Sequence, residues 1–294
     1  MAPVSKFTPK PQTTTTPSSR FTPKPKTTAQ ATSTFTPKPK AAPYADKPTT
    51  LTNPPRFTGK QPPLANLVSW SYSVYSQYLK CPLSVCFDKV KRIRMIEPPN
   101  PHFEKGDRVH KAAEMYIGSE GKAPPIIPDL KAVKDKLIFF RKARAKVELE
   151  WAFTKQYLPT SWFGSDAWLR VKTDVCHDTA KPPLVHITDW KTGRVYDDHK
   201  QQRSLYALAG LQLVELGQLA GGSKDVHLTA EHLYTDTTQS ATEEYTMKDL
   251  KPLKNEWASR IKQMMSDTKY PAKPGFHCRY CKYRKSNQGP CSEG

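Results

Sequence analysis

The sequence predicts an α/β sandwich over residues 63–294, a mixed central sheet flanked by helices. Three observations predict it. The run Val185-His186-Ile187-Thr188-Asp189-Trp190-Lys191-Thr192-Gly193 is short, β-branched and closed by a turn, as a buried strand is. Leu169 to Cys176 alternates apolar and polar residues, and the turn formers of His177–Pro183 join it to the first run as a hairpin or meander. Stretches of helical period lie on both sides of this pair, and two further strand patterns follow it.

Taken in order, Ser71 or Ser73 is a plausible N-cap for a helix ending near Lys80, because Pro82 disfavours helix at Cys81. The basic run Lys89–Arg94 is either a contact for a phosphate backbone or a solvated helix end. Phe103 to Ile117 reads as a helix with Val109, Ala113 and Tyr116 on one side, and His110 beside Glu114. Pro124, Pro125 and Pro128 break the chain before a helix over Asp129–Ala145, whose last turn is cationic. Lys146 to Lys155 reads as the first sheet strand; its Glu148 and Glu150 share a face, and one of them could approach the metal site, but the strand edge is the favoured assignment for both. The loop Leu158–Trp168 groups Trp162, Phe163 and Trp168 around Gly164, either packed on the domain or presented for stacking on unpaired bases. Gln201 to Leu213 reads as a helix behind the strand pair, and Gly221-Gly222-Ser223 as a turn. Val226–Asp236 and Glu243–Met247 read as a hairpin, and Asp249–Asp267 as a last helix.

The chemistry gathers at the end of the 185–193 strand. Side chains alternate along a strand, so Asp189 and Lys191 share one face while Trp190 points to the other. Alone, such an Asp-x-Lys is an ordinary surface ion pair. Here the strand pairing can bring a second acid, Asp174, near Asp189, although sequence does not fix the register, and two carboxylates brought together relieve their repulsion by sharing a hard cation such as Mg²⁺ or Mn²⁺. Gln202 and Tyr206 are four residues apart and share a helix face turned towards the same place.

This ordered series resembles the RecB/AddB-type branch of the PD-(D/E)xK nuclease superfamily. The residues that carry it are Asp174, Asp189-x-Lys191-Thr-Gly, Gln202-xxx-Tyr206 and, before them, Gly106-xx-Val109-His110. The resemblance spans about residues 69 to 291 and implies a restriction-endonuclease-like sandwich. It implies that His110, Asp174, Asp189 and the carbonyl of Trp190 ligate Mg²⁺ or Mn²⁺. Lys191 would orient the attacking water, and Gln202 and Tyr206 would contact DNA or support the site.

A second signal lies at the C-terminus, where Cys278-xx-Cys281-x₉-Cys291 places three thiols within fourteen residues. Such crowding in a Cys-poor chain indicates a metal more readily than disulfides. Three ligands leave one position to fill; Cys81 is the obvious fourth, Cys86 competes with it, and His277 could complete a zinc site instead. In nucleases of the resembled branch, and in CRISPR-adaptation nucleases, one early and three late cysteines hold a structural [4Fe–4S] cluster. The resemblance therefore implies a clasp made by Cys81, Cys278, Cys281 and Cys291.

Residues 1–62 are a different material. Phe-Thr-Pro-Lys-Pro begins at Phe7, Phe21 and Phe35, and the segment holds ten Lys or Arg against the single Asp46. Too little apolar surface is available to offset chain entropy, so a disordered basic tail is expected. It lacks the apolar core of a secretory signal, and no stretch has the length and apolarity of a membrane span. Residues 63–294 keep 36 basic against 26 acidic residues, which suits a polyanionic partner. The expectation is a divalent-metal-dependent deoxyribonuclease, an exonuclease working on DNA ends or single strands in recombination, replication or repair. The rival is a non-catalytic DNA-binding scaffold of the same fold, recruited through its repeats. No Gly-xxxx-Gly-Lys-Ser/Thr loop is present, so an ATP-driven helicase would be another chain; a recombinase or single-strand-binding protein could also dock on the repeats. The cytoplasm of a bacterium, or of the host of a phage, is the expected compartment.

Overall fold

The computed structural model describes residues 64–95, 101–194 and 199–293; the basic repeat tail expected over residues 1–62 lies outside them. Six strands form one sheet: β1 (Lys146–Phe153), β2 (Pro159–Thr160), β3 (Leu169–Ala180), β4 (Pro183–Lys191), β5 (His227–Tyr234) and β6 (Ser240–Tyr245). The spatial order is β2-β1-β3-β4-β5-β6. Neighbours are antiparallel except β4 and β5, which are parallel and need the crossover that α5 (His199–Glu215) supplies. The sheet is thus mixed and flanked by helices, as the sequence predicts. No helix is long and apolar enough to cross a membrane among the described residues.

Two cores lie against the sheet. On one face α3 (Pro101–Gly118) and α4 (Lys134–Lys142) bury Val109, Ala113, Ile117, Leu137 and Phe140 against Val175, Trp190 and Leu233. On the other, α1 (Tyr72–Lys80), α5 and α6 (Leu250–Ser266) pack over Val171, Cys176, Val185, Ile187 and Leu228. Trp70 stacks on Trp257 at 5.5 Å and meets Trp168 edge-on at 5.7 Å, closing this core near the start of the domain. Most of α5 is buried all round, because it is covered by the sheet on one side and by α6 on the other. Gly210 allows its approach: a Cβ there would lie 2.7 Å from Leu228 Cδ1 and 2.9 Å from Ile187 Cδ1.

Local signals mostly decide the ends of the elements. Ser71 caps α1, its Oγ accepting from Val74 N at 3.4 Å, and Cys81 leaves the helix in an extended conformation before Pro82. The helix expected over 129–145 is instead a 3₁₀ segment, Pro128–Val133, followed by the shorter α4. No side chain caps α4, and its start is fixed by burial of Leu130 and Val133. Tyr116, expected in the apolar stripe of α3, is only half-buried, under the Arg141 guanidinium at 5.9 Å; Ile117 takes the core position.

Candidate active site

Asp189 and Lys191 project from the C-terminal end of β4 towards α5, while the Trp190 ring lies on the opposite face beside Phe140 at 6.3 Å. Lys191 Nζ sits 2.6 Å from Asp189 Oδ2 and donates to Gln202 Oε1 at 3.0 Å. Gln202 Nε2 donates to the Tyr206 hydroxyl at 2.7 Å, and that hydroxyl donates to Asp189 Oδ1. The four side chains form a closed ring in which α5 fixes both the carboxylate and the ammonium of β4.

Asp174 enters from β3. The β3–β4 ladder ends at Val175 opposite Thr188, and one step further Asp174 accepts from Trp190 N at 2.7 Å. Its other oxygen lies 3.0 Å from His110 Nδ1, which α3 carries to the site from the other layer. Glu148, assigned from sequence to the strand edge, instead belongs here. His110, Glu148 and Asp174 each offer a ligand atom, and these atoms lie within 4.8 Å of one another. The reason is register: Val147 opposite Val175 and Leu149 opposite Thr173 bracket Glu148 and Asp174. Glu148 also has a left-handed backbone, φ 52°, which is costly for a residue with a side chain. Its carboxylate is held by Lys172 Nζ at 2.6 Å.

The two aspartates differ in proton affinity. Burial opposes ionisation of Asp189, but the Lys191 ammonium outweighs it and holds the carboxyl at about 2. Burial, and then the charge of Asp189, push the Asp174 carboxyl above its ordinary range despite the opposing pull of His110. Burial works against protonation of His110, yet the hydrogen bond and charge of Asp174, with the charge of Asp189, raise its pKa overall. Burial and the two carboxylates keep Tyr206 protonated, so it remains a donor.

Another residue at the site escaped the sequence. His232 of β5 lies opposite Asp189 in the parallel register and is fully buried. Burial lowers its pKa to about 3, so it is neutral. Arg203 Nη1 donates to its Nδ1 at 3.2 Å, which leaves the ring proton on Nε2, 3.9 Å from Asp189 Oδ2. Nothing but the run of core residues around His232 marks it in the sequence.

The donor set suits a hard divalent cation. His110, Glu148 and Asp174 bring one imidazole and two carboxylates within reach of a single ion, and the buried Asp189 lines the same cavity.

Cys81, Cys278, Cys281 and Cys291 line one cavity, together with His277. Cys86 is instead fully buried in the apolar core, which leaves Cys81 as the early thiol. The nine residues before Cys291 fold back: Cys291 N donates to Tyr283 O at 2.9 Å, and Gly289 sits so close to Tyr283 that a Cβ would meet its carbonyl carbon at 2.3 Å. Burial raises the Cys281 thiol pKa, with Cys291, Cys81 and Cys278 adding to the effect. All four are free thiols, the donor type of a thiolate-bound metal, but among the described residues their sulfurs are not gathered within 4.8 Å of one another as the ligand atoms of His110, Glu148 and Asp174 are.

The mixed sheet flanked by helices, with acids and a lysine on three adjacent strands and a Gln/Tyr helix behind them, is the arrangement of the restriction-endonuclease-like fold class. The PD-(D/E)XK nuclease superfamily signature matches residues 69–286, and the chain belongs to that superfamily. No curated protein matches the chain. The crystal structure of SSO0001 is similar to it over 77% of this chain and 88% of its own, with 12% identity and a TM-score of 0.32.

Proposed function

We propose that the protein is a divalent-metal-dependent deoxyribonuclease acting from DNA ends or on single strands, in recombination, replication or repair. The observation that carries this reading is the gathering of His110, Glu148, Asp174 and Asp189 along one cavity across three adjacent strands, with Lys191 against Asp189. His110, Asp174, Asp189 and the carbonyl of Trp190 would hold Mg²⁺ or Mn²⁺, with Glu148 joining them. When bound, the cation supplies positive charge to the scissile phosphate and acidity to a water.

The chain's own groups do the rest. Asp189, ionised at neutral pH, is oriented by Tyr206 and paired with Lys191 beside it. Gln202 and Asp189 each take one N–H of the Lys191 ammonium, and the third is left to orient the nucleophilic water and to meet the charge that grows on the phosphoryl oxygens. His232 closes the buried side of Asp189 without adding charge.

The four cysteines are proposed to hold a structural [4Fe–4S] cluster, with zinc, completed by His277, as the other occupant. Such a centre would tie Cys81 at the end of α1 to the last turns of the chain. The Phe-Thr-Pro-Lys-Pro repeats are proposed to recruit a helicase, recombinase or single-strand-binding protein, or to keep the enzyme near DNA.

The test uses protein purified without oxygen and assayed with Mg²⁺ and with Mn²⁺ on linear and circular DNA, single- and double-stranded. Degradation of linear DNA alone, absent in Asp189→Ala, is the expected result. Cutting of circles would make it an endonuclease. Binding without any cleavage would replace the reading by that of a scaffold.

A further inference from the structure

The cavity that contains His110, Glu148, Asp174 and Asp189 continues into a second one. Lys172, Gln202 and Tyr206 line both, and the second has a volume of about 760 Å³. Its walls are the 65–74 segment, Lys89, Arg92, Trp162 and Arg170. The charge is one-sided: four cations line it against Asp88, which is paired with Lys89 at 3.0 Å. Arg170 is committed to structure, donating to Trp162 O at 2.8 Å and to Ser69 Oγ at 2.7 Å, and so ties the Trp162 loop to the opposite wall. Arg92 is exposed and has no ion pair among the described residues. The bond from Ile93 N to Phe87 O at 2.8 Å fixes the turn that presents it.

Trp162 and Phe163 stand on a loop that cannot swing freely. Gly164 N donates to Ser161 O at 2.9 Å, the Thr160 hydroxyl donates to Asp166 at 2.6 Å, and a Cβ on Gly164 would meet that carboxylate at 2.7 Å. Yet the Phe163 ring is 90% exposed, an apolar surface next in the chain to Trp162, which lines the basic cavity. Trp168, the third aromatic of the loop, does pack, against Trp70 and Tyr157.

We infer that this second cavity is the track along which one unpaired DNA strand reaches the scissile position, with Arg92 and Lys172 on its phosphates and Trp162 and Phe163 stacked on its bases. An unpaired strand has free base faces for such rings, whereas the bases of a duplex are already stacked on one another. Lys172 stands where the two cavities meet, so a strand in the track would pass directly from it to Lys191 and the carboxylates. This assignment rests on the nuclease reading and adds its substrate class, a single strand.

The test is equilibrium binding by fluorescence anisotropy, using the full chain in EDTA so that no strand is cut. A labelled single-stranded oligonucleotide is compared with the same sequence as a blunt duplex. The wild type is expected to prefer the single strand. Trp162→Ala/Phe163→Ala should weaken single-strand binding by about tenfold or more, with duplex binding changed less than about twofold. Arg92→Glu, at an exposed position that does not threaten folding, should weaken single-strand binding and lower its salt dependence by about one counterion or more. Equal losses for both substrates, or unchanged single-strand affinity in Arg92→Glu, would overturn the track. Parallel cleavage assays separate the two readings. A wild type that binds single strands through these residues but never cuts keeps the track and loses the nuclease; variants that cut and bind single strands as the wild type does lose the track alone.

Discussion

Glu148 stands opposite Asp174 across the antiparallel β1–β3 pair, and both offer ligand atoms within 4.8 Å of His110. Two strands and a helix therefore contribute to one candidate metal position, and among the described residues the acid from β1 is ion-paired with Lys172 alone. Glu148→Gln keeps the shape and removes the charge. It is expected to weaken Mn²⁺ binding by at least about tenfold, measured by isothermal titration or by loss of the free-ion electron paramagnetic resonance signal. Unchanged affinity would remove Glu148 from the ligand set.

Lys191 is expected to act on the reaction beyond what it contributes to the fold. Its ammonium is held between Asp189 and Gln202, so Lys191→Met retains the stem and loses the charge. Cleavage should fall by about 10²–10³-fold, as when one preorganised donor to a transition state is removed. Mn²⁺ affinity should stay within a few-fold; the melting temperature should fall, because Asp189 stays buried without its ammonium, so cleavage is compared at a temperature where the variant is still folded. A variant that cleaves at the wild-type rate would deprive Lys191 of its role.

Much of this site was legible because it depends on strict local periods. Alternation along β4 put Asp189 and Lys191 together and Trp190 away, and the four-residue spacing on α5 put Gln202 beside Tyr206. What was not legible depends on register and crossover. Glu148 reaches Asp174 only because β1 pairs with β3 in one particular register and because its own backbone adopts φ 52°. His232 faces Asp189 only because β5 lies parallel to β4 after the α5 crossover. Neither placement leaves a pattern within a short window of sequence, and an acid on a strand edge or a histidine in a core run looks ordinary there.

The cysteine cavity makes a separable prediction. Anaerobically purified protein should carry iron and sulfide in near-equal amounts with broad visible absorption, and Cys281→Ser should lose both, since Cys281 has the other three thiols as neighbours. Stoichiometric zinc without iron would instead establish the zinc centre. Cys86→Ser should leave the metal content unchanged, because Cys86 lies in the apolar core away from the cavity.

A pH dependence of stability should come from Glu231, which is 1% exposed. Burial opposes its ionisation, but His186 Nε2 at 2.8 Å, the Ser240 and Thr188 hydroxyls and Lys136 Nζ at 3.1 Å hold it at about 2. Its value in the unfolded chain is the ordinary 4.5, so the folded state binds this proton less readily. The stability it contributes is therefore complete above about pH 4.5 and is lost as pH falls towards about 2, an effect of about 3 kcal/mol. Urea unfolding of Glu231→Gln beside the wild type should show a gap at pH 7 that narrows markedly by pH 3. A gap independent of pH would mean that the network stabilises by packing alone.

Gly210 links the fold to the chemistry. Its missing side chain lets α5 lie directly on Ile187 and Leu228, and the same helix carries Gln202 and Tyr206 to the end of β4. Gly210→Ala gains helix propensity of about 1 kcal/mol, which offsets part of the crowding it creates. Gly210→Val adds two methyl groups more and loses that compensation through its β-branch, so overpacking of about 1–3 kcal/mol should remain. Relief requires α5 to move away from β4, and that movement would lengthen the bonds from Lys191 to Gln202 and from Tyr206 to Asp189. Gly210→Val is thus expected to lose cleavage activity out of proportion to its stability, at temperatures where thermal denaturation shows it still folded. If the folded variant cuts at the wild-type rate, the core has absorbed the extra volume by side-chain rearrangement, and the position of α5 does not depend on this close approach.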